Sequence, residues 1–263
     1  MGKVGSWFFK PKQMEENMAV KVFNIILVIA IVLGVFYFAF HRLDYPYNWA
    51  GIIEKYRYKF MLGFSMTVVI SIFSLIVSFL IGTLLVFAQR GSFLPTYYFA
   101  KGFTEIIRGT PLIVQIYLFY YVIGTAFGIE NRYVMGVLIM GIFSGAYVSE
   151  IIRAGIESID RVQIETARAL AFTKFQTYRY IILPQVIKRV MPPLAGQFAS
   201  LIKDSSLLSI IAVNEFTKNV QEVDSLTFSP IENYCILAVG YLILTYPISH
   251  FSKWLERRYT YGN

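Results

Sequence analysis

At 263 residues, 56% apolar and 15% charged, the chain departs from an ordinary soluble domain, where about a quarter of residues carry charge. The formal charge of +8 does not mark a nucleic-acid binder, because the basic residues fall between apolar runs. One cysteine, Cys235, excludes a disulfide framework or thiolate cluster, and His41 and His250, far apart at the ends of apolar runs, read as interfacial residues and not as metal ligands.

Six apolar segments are long enough, or nearly so, to cross a hydrocarbon layer of about 30 Å. They fall at about 22–40, 60–88, 104–123, 133–151, 193–213 and 233–251. The first has no charge, is too long for a signal peptide and is followed by no small-residue cleavage site, so it reads as a retained anchor. The stretch after it, 41–59, holds Arg42, Lys55, Arg57 and Lys59 in a pattern that predicts a short helix lying in the membrane interface.

The third segment opens on Glu105, Arg108, Gly109, Thr110 and Pro111. Glu105 and Arg108 are spaced for a local ion pair. Pro111 either fits a first helical turn or kinks the span. These residues read as a structural cap or as part of a gate, with Gln115 the polar group expected to face inward one turn later. Glu150 and Arg153 repeat the three-residue spacing at the end of the fourth segment, either to position the loop that follows or to contact the path.

The fifth segment is the weakest, since Lys203 and Asp204 fall in its middle. A charge at bilayer depth costs a few kcal/mol, so it faces a partner or a wet cavity. Followed by Ser205 and Ser206, the pair is read as lining a cavity, the alternative being mutual neutralisation.

Between the fourth and fifth segments lies a polar loop, 153–192, with seven basic residues: Arg153, Arg161, Arg168, Lys174, Arg179, Lys188 and Arg189. Placing both termini inside puts sixteen Lys and Arg on the cytoplasmic side and six outside, so the orientation is N-in, C-in. Within the loop, Ile164, Ala167, Arg168, Ala171 and Phe175 share one helical side. A second run, Tyr178 to Leu183, is expected to end at Pro184. Two short helices joined near Thr173 would form a compact docking knob.

The spacing Glu165-Thr166-Ala167, then Ala171, then Ile181-Ile182-Leu183-Pro184 resembles the EAA loop of ABC importer permeases, EAA–x3–G–x9–I-x-L-P. Thr166 stands where Ala is usual and Ala171 where Gly is usual; the second change suits helical dihedrals and not φ > 0. The segments 105–115, 145–156 and 201–211 resemble parts of permeases for polar amino acids, in order and across residues 60–251.

That resemblance implies an all-α integral membrane protein of about six transmembrane helices: a five-helix type I ABC importer core plus an N-terminal anchor. The implied divisions are 1–59 for tail, anchor and interfacial segment, 60–251 for the permease domain, and 252–263 for a cytoplasmic tail. It implies uptake of a polar amino acid through a path shared with a second permease chain, identical or homologous, in a bacterial inner membrane. Partners would be cytoplasmic ABC ATPase subunits and an extracytoplasmic solute-binding protein, besides lipid. The docking residues would be Glu165, Thr166, Ala167, Arg168, Ala171, Phe172, Leu183 and Pro184. No cofactor or catalytic residue is implied, and with no G-x-x-x-x-G-K-[ST] loop the ATPase is expected in a separate chain. A zwitterionic substrate needs an ammonium acceptor, for which Asp204 and Glu150 are candidates, and carboxylate donors, for which Lys203, Ser205 and Arg108 are. A gradient-driven transporter would instead show internal repeats, and none is visible.

Overall fold

The computed structural model describes residues 18–43 and 45–260, and among these every regular element is a helix. Lys3, Lys10 and Lys12, counted in the orientation, lie outside that range with Asp44 and the last three residues. The chain divides after Tyr47 into two units. The first holds α1 (Met18–Arg42), with no buried residue along its 25 positions. A helix apolar on all sides is at home with lipid as its solvent. Near its end His41 stacks on Tyr37.

The second unit begins with α2 (Trp49–Arg90), a continuous helix of 42 residues. The short interfacial helix expected within 41–59 is, from Trp49 on, the first three turns of α2. Part of its apolar side is covered: Ile52 and Phe60 are buried against Phe216, Val220 and Val223 of α9 (Phe216–Thr227). At 1.5 Å per residue α2 is about 63 Å long, twice the hydrocarbon thickness, so it has length to spare for that packing.

The segment expected as one span at 104–123 is broken. α3 (Leu94–Gly109) and α4 (Leu112–Tyr117, continued by π-helical turns to Gly124) meet at 113°. Pro111 is the N-cap of α4, in extended conformation, so of its two expected places it takes the break. Next comes α5 (Arg132–Glu157), which packs along α2. Thr67, Ser71, Ser74 and Ser78 on α2 are buried, as are Gly141, Ser144 and Gly145 on α5. A Cβ at Gly82 would strike Val148, and one at Gly145 would strike Ile81. Small residues let the two backbones approach, which is how helices associate where lipid removes the hydrophobic drive.

The basic loop forms α6 (Arg161–Ala169) and α7 (Lys174–Gln176). From α7 the chain stays helical through π turns at 177–182 into α8 (Leu183–Asp204). The expected stop at Pro184 is thus overturned. Pro184 sits at the start of α8, directly after turns whose wider bonding absorbs its missing N–H. The helix over the fifth segment also begins about ten residues before the expected 193, and its last turns, Ser205–Ile211, are 3₁₀. A left-handed Ala212 (φ 57°) ends them, its carbonyl accepting from Arg132 at 2.9 Å.

Finally α10 (Pro230–Thr260) continues through the segment expected as a tail from 252. Among the described residues, four helices are long and apolar enough to cross a membrane, five with the bent pair counted once. α8 has the length, but its mean hydropathy is too low for that set. Its end joins α2, α4 and α5 in the main core through Leu201, Leu208, Ile70, Ile116 and Met140.

Candidate functional site

The basic loop is built from its caps. Asp160 accepts from the N–H of Val162 at 2.9 Å and starts α6. α6 ends in a Schellman closure: Ala171 N–H donates to Arg168 at 2.9 Å and Phe172 N–H to Ala167 at 3.0 Å. Ala171 takes φ 60°, the left-handed conformation that suits glycine. Thr173 then caps α7 with a reciprocal box, its hydroxyl accepting from Gln176 N–H and its N–H donating to the Gln176 side chain.

This ending corrects the expected single helical side. Because α6 stops at Ala169, Ala171 and Phe175 do not continue the row of Ile164, Ala167 and Arg168. Ala167 is buried at 1% exposure, while Glu165, Thr166, Arg168 and Ala171 are exposed. Phe175 is 75% exposed, and Val162, Leu170 and Phe172 are exposed with it. Leu183 is half-buried and Pro184 exposed.

The neck of the loop is cross-braced. An Arg189 Nη1–H donates to the carbonyl of Ser158 and to its hydroxyl, the latter at 2.7 Å. Gln185 Nε2 donates to Gln163 Oε1 at 2.6 Å. Ile159, Val186 and Val190 are buried together between these bonds.

Beside the neck lies a charged cluster lining a cavity of about 330 Å³. Arg153 grips Glu150 with two bonds, Nε to Oε1 at 3.0 Å and Nη2 to Oε2 at 2.8 Å. It also reaches Glu157 at 2.7 Å. The expected i, i+3 pairing thus exists between Glu150 and Arg153, but not between Glu105 and Arg108. Arg108 pairs across helices with Glu150 at 3.0 Å, its guanidinium over the Tyr147 ring, because the 113° break turns the end of α3 toward α5.

Gln115 is buried at 4% exposure, and its amide serves the break. Nε2 donates to the carbonyl of Ile107 at 2.6 Å and to the carbonyl and hydroxyl of Thr110. At the end of α8 Lys203 is exposed and Asp204 half-buried, with no ion pair between them. Ser205 is buried and donates to Ile202; Ser206 is half-buried. No hydrogen bond or ion pair among the described residues joins Gln115, the Glu150 cluster and Lys203–Ser206 to one another.

One site escaped the sequence reading. Glu215 is wholly buried, accepting from the N–H groups of Thr217 and Lys218 at 2.8 and 2.7 Å and from the Tyr241 hydroxyl at 3.0 Å. Thr67 completes the node by accepting from Phe216 N–H at 3.0 Å. Burial pushes the Glu215 carboxyl up to about 7 against the pull of those donors. Helix N-cap preferences favour Ser, Thr, Asp and Asn, so a glutamate there gave no signal.

Residues 85–261 match the family described as binding-protein-dependent transport system inner membrane component. The chain is 35% identical over 199 residues to the probable glutamine ABC transporter permease protein GlnM of Bacillus subtilis (strain 168), which spans 76% of this chain and 92% of that protein. It is 37% identical over 198 residues to the glutamine transport system permease protein GlnP of Escherichia coli (strain K12), spanning 74% of this chain and 90% of that one. The crystal structure of an amino acid ABC transporter with histidines superposes with a TM-score of 0.76 at 33% identity, over 81% of this chain and 100% of that chain. An inward-facing MetNI methionine ABC transporter shares the fold, with a TM-score of 0.62 at 16% identity over 78% and 98% of the two chains.

Proposed function

Because this chain belongs to the family of binding-protein-dependent transport system inner membrane components and is an amino acid ABC importer permease subunit, we propose that its basic loop seats the ATP-hydrolysing partner. The observation that carries this reading is the exposed set Val162, Leu170, Phe172 and Phe175 around Glu165, presented on a capped and cross-braced knob. Four large apolar groups left in water on one small knob mark a protein interface. Glu165 and Arg168 supply polar contacts at its rim, while Thr166 and Ala171 leave room for a close approach.

In this reading a second permease chain completes the path, a solute-binding protein delivers substrate from outside, and the assembly sits in a bacterial inner membrane. Glutamine is the first polar amino acid to test, since two similar permeases bear its name. Asp204, Lys203 and Ser206 are the candidates to line the path. Ser205 spends its proton on Ile202 and Gln115 on the break, so these two support the shape of the path. Glu150, held between Arg108 and Arg153, acts with Glu105 and Pro111 at the inner gate.

The test is co-purification. Tagged Glu165→Lys chain, extracted in mild detergent, is expected to insert normally and lose most of its ATPase subunit. Full retention of that subunit would refute the docking role.

A further inference from the structure

We propose that Arg189 is a positioning residue that makes the ends of α5 and α8 move as one body with the loop. The inference rests on the loop being the ATPase seat, and it concerns how movement there reaches the membrane helices.

The chain leaves α5 at Ser158 and returns along the first turns of α8. Ser158 is the C-cap of α5, so its carbonyl is one of the acceptors a helix end leaves without an internal donor. Arg189 supplies that donor from 31 residues away and adds a bond to the Ser158 hydroxyl. A guanidinium at the negative end of a helix is favoured by the backbone dipole as well. One turn earlier on α8, Gln185 holds Gln163 of α6. Between these two bonds Ile159 is clasped by Val186 and Val190, and a Cβ at Gly155 would fall within the envelope of Val190. The neck is thus closed by polar bonds on either side of an apolar seam, with little space to shear.

Immediately beyond, the helix loses that stiffness. Pro192 and Pro193 have no N–H to give the carbonyls of Lys188 and Arg189, so α8 can bend there. Ser252 of α10 donates to the Pro192 carbonyl at 2.8 Å. A push on α6 therefore moves a rigid base ending at Arg189, and the bend above it carries Lys203 and Asp204. Without the Arg189 bond the loop can move while α5 and α8 stay behind.

The test uses the whole complex, with ATPase and binding protein, in vesicles supplied with a mixture of the standard amino acids. ATP hydrolysed per amino acid imported is the readout. In Arg189→Ala this ratio is expected to rise roughly two- to thirty-fold, the range of coupling lost when one link of a network is cut. The ATPase subunit should stay at wild-type occupancy, and Arg189→Lys, which keeps a donor, should restore part of the ratio. An unchanged ratio in Arg189→Ala, loss of the ATPase subunit from it, or a Lys variant no better than Ala would each overturn the proposal. Should Arg189→Ala fail to insert, Gln185→Ala cuts the second brace and is read in the same way. Full ATPase retention by Glu165→Lys would refute the docking reading instead, whatever Arg189 does.

Discussion

Phe172 closes the end of α6 by donating its backbone N–H to the carbonyl of Ala167, 3.0 Å away. The residue between them that makes the closure possible, Ala171, holds φ at 60°, a conformation costing a side chain with Cβ roughly 1–2 kcal/mol. Ala171→Gly is therefore expected to stabilise the knob by about 0.5–1 kcal/mol, after allowing for the greater freedom of glycine when unfolded. Hydrogen exchange at Phe172 checks it: the Gly variant should exchange several-fold more slowly and Ala171→Val faster. Faster exchange in the Gly variant would contradict the strain.

Glu150 is shared by Arg108 and Arg153, and all three side chains are partly exposed, from 23% at Glu150 to 41% at Arg108. Solvent screens such pairs, so the coupling between Arg108 and Glu150 is expected at about 0.5–1 kcal/mol. A double-mutant cycle with Arg108→Gln and Glu150→Gln, read by thermal unfolding in detergent, should give that value at low salt and less at high salt. Additive effects at both salt levels would remove the pair from the account.

Gln115 gives its amide to the carbonyls of Ile107 and Thr110 across the break between α3 and α4. Gln115→Leu has no donor to replace it and should cost about 1–3 kcal/mol, the penalty for buried carbonyls left unpaired. Gln115→Glu supplies a single O–H donor when protonated, so its midpoint loss should be smaller at acid pH than at neutral pH. Equal midpoints for all three chains would place the restraint at the break elsewhere.

Glu215 ties stability to pH. Burial raises its carboxyl from 4.5 to about 7, so the folded chain keeps a proton there that the unfolded chain releases. Across that window the folded state binds more protons, and stability must fall as pH rises. Below it both states are protonated and above it both are ionised, so the contribution is level outside the window. Glu215→Gln, compared with the parent chain by thermal unfolding from pH 4 to 8, should flatten the fall. An unchanged slope would mean that Glu215 does not titrate in that range.

The spans and the loop were legible because both rest on short-range patterns. Apolar length marked α1, α2, α5 and α10, and the Glu165 to Pro184 spacing marked the knob with its joint at Thr173. What stayed hidden depends on where helices meet. The partner of Arg108 is Glu150 rather than Glu105, since only the bend at Pro111 decides which carboxylate it reaches. Pro184 read as a stop because a one-residue rule ignores the π turns before it. The first turns of α2 read as interfacial because their apolar side was visible and its cover, α9, was not. Ser158 and Arg189 are ordinary polar residues in sequence, and only the fold joins them.

The most direct measurement places a cysteine at the tip of the knob, Phe175→Cys, in a chain with Cys235 replaced, and cross-links it in native membranes. Phe175 is among the most exposed aromatics of the described residues, and Leu226 on α9 is a control of similar exposure. A cross-link is expected from position 175 to a nucleotide-binding, ATP-hydrolysing chain, and none to that chain from Leu226→Cys. No such product from position 175, or the same product from 226, would contradict the loop as the seat of the ATPase.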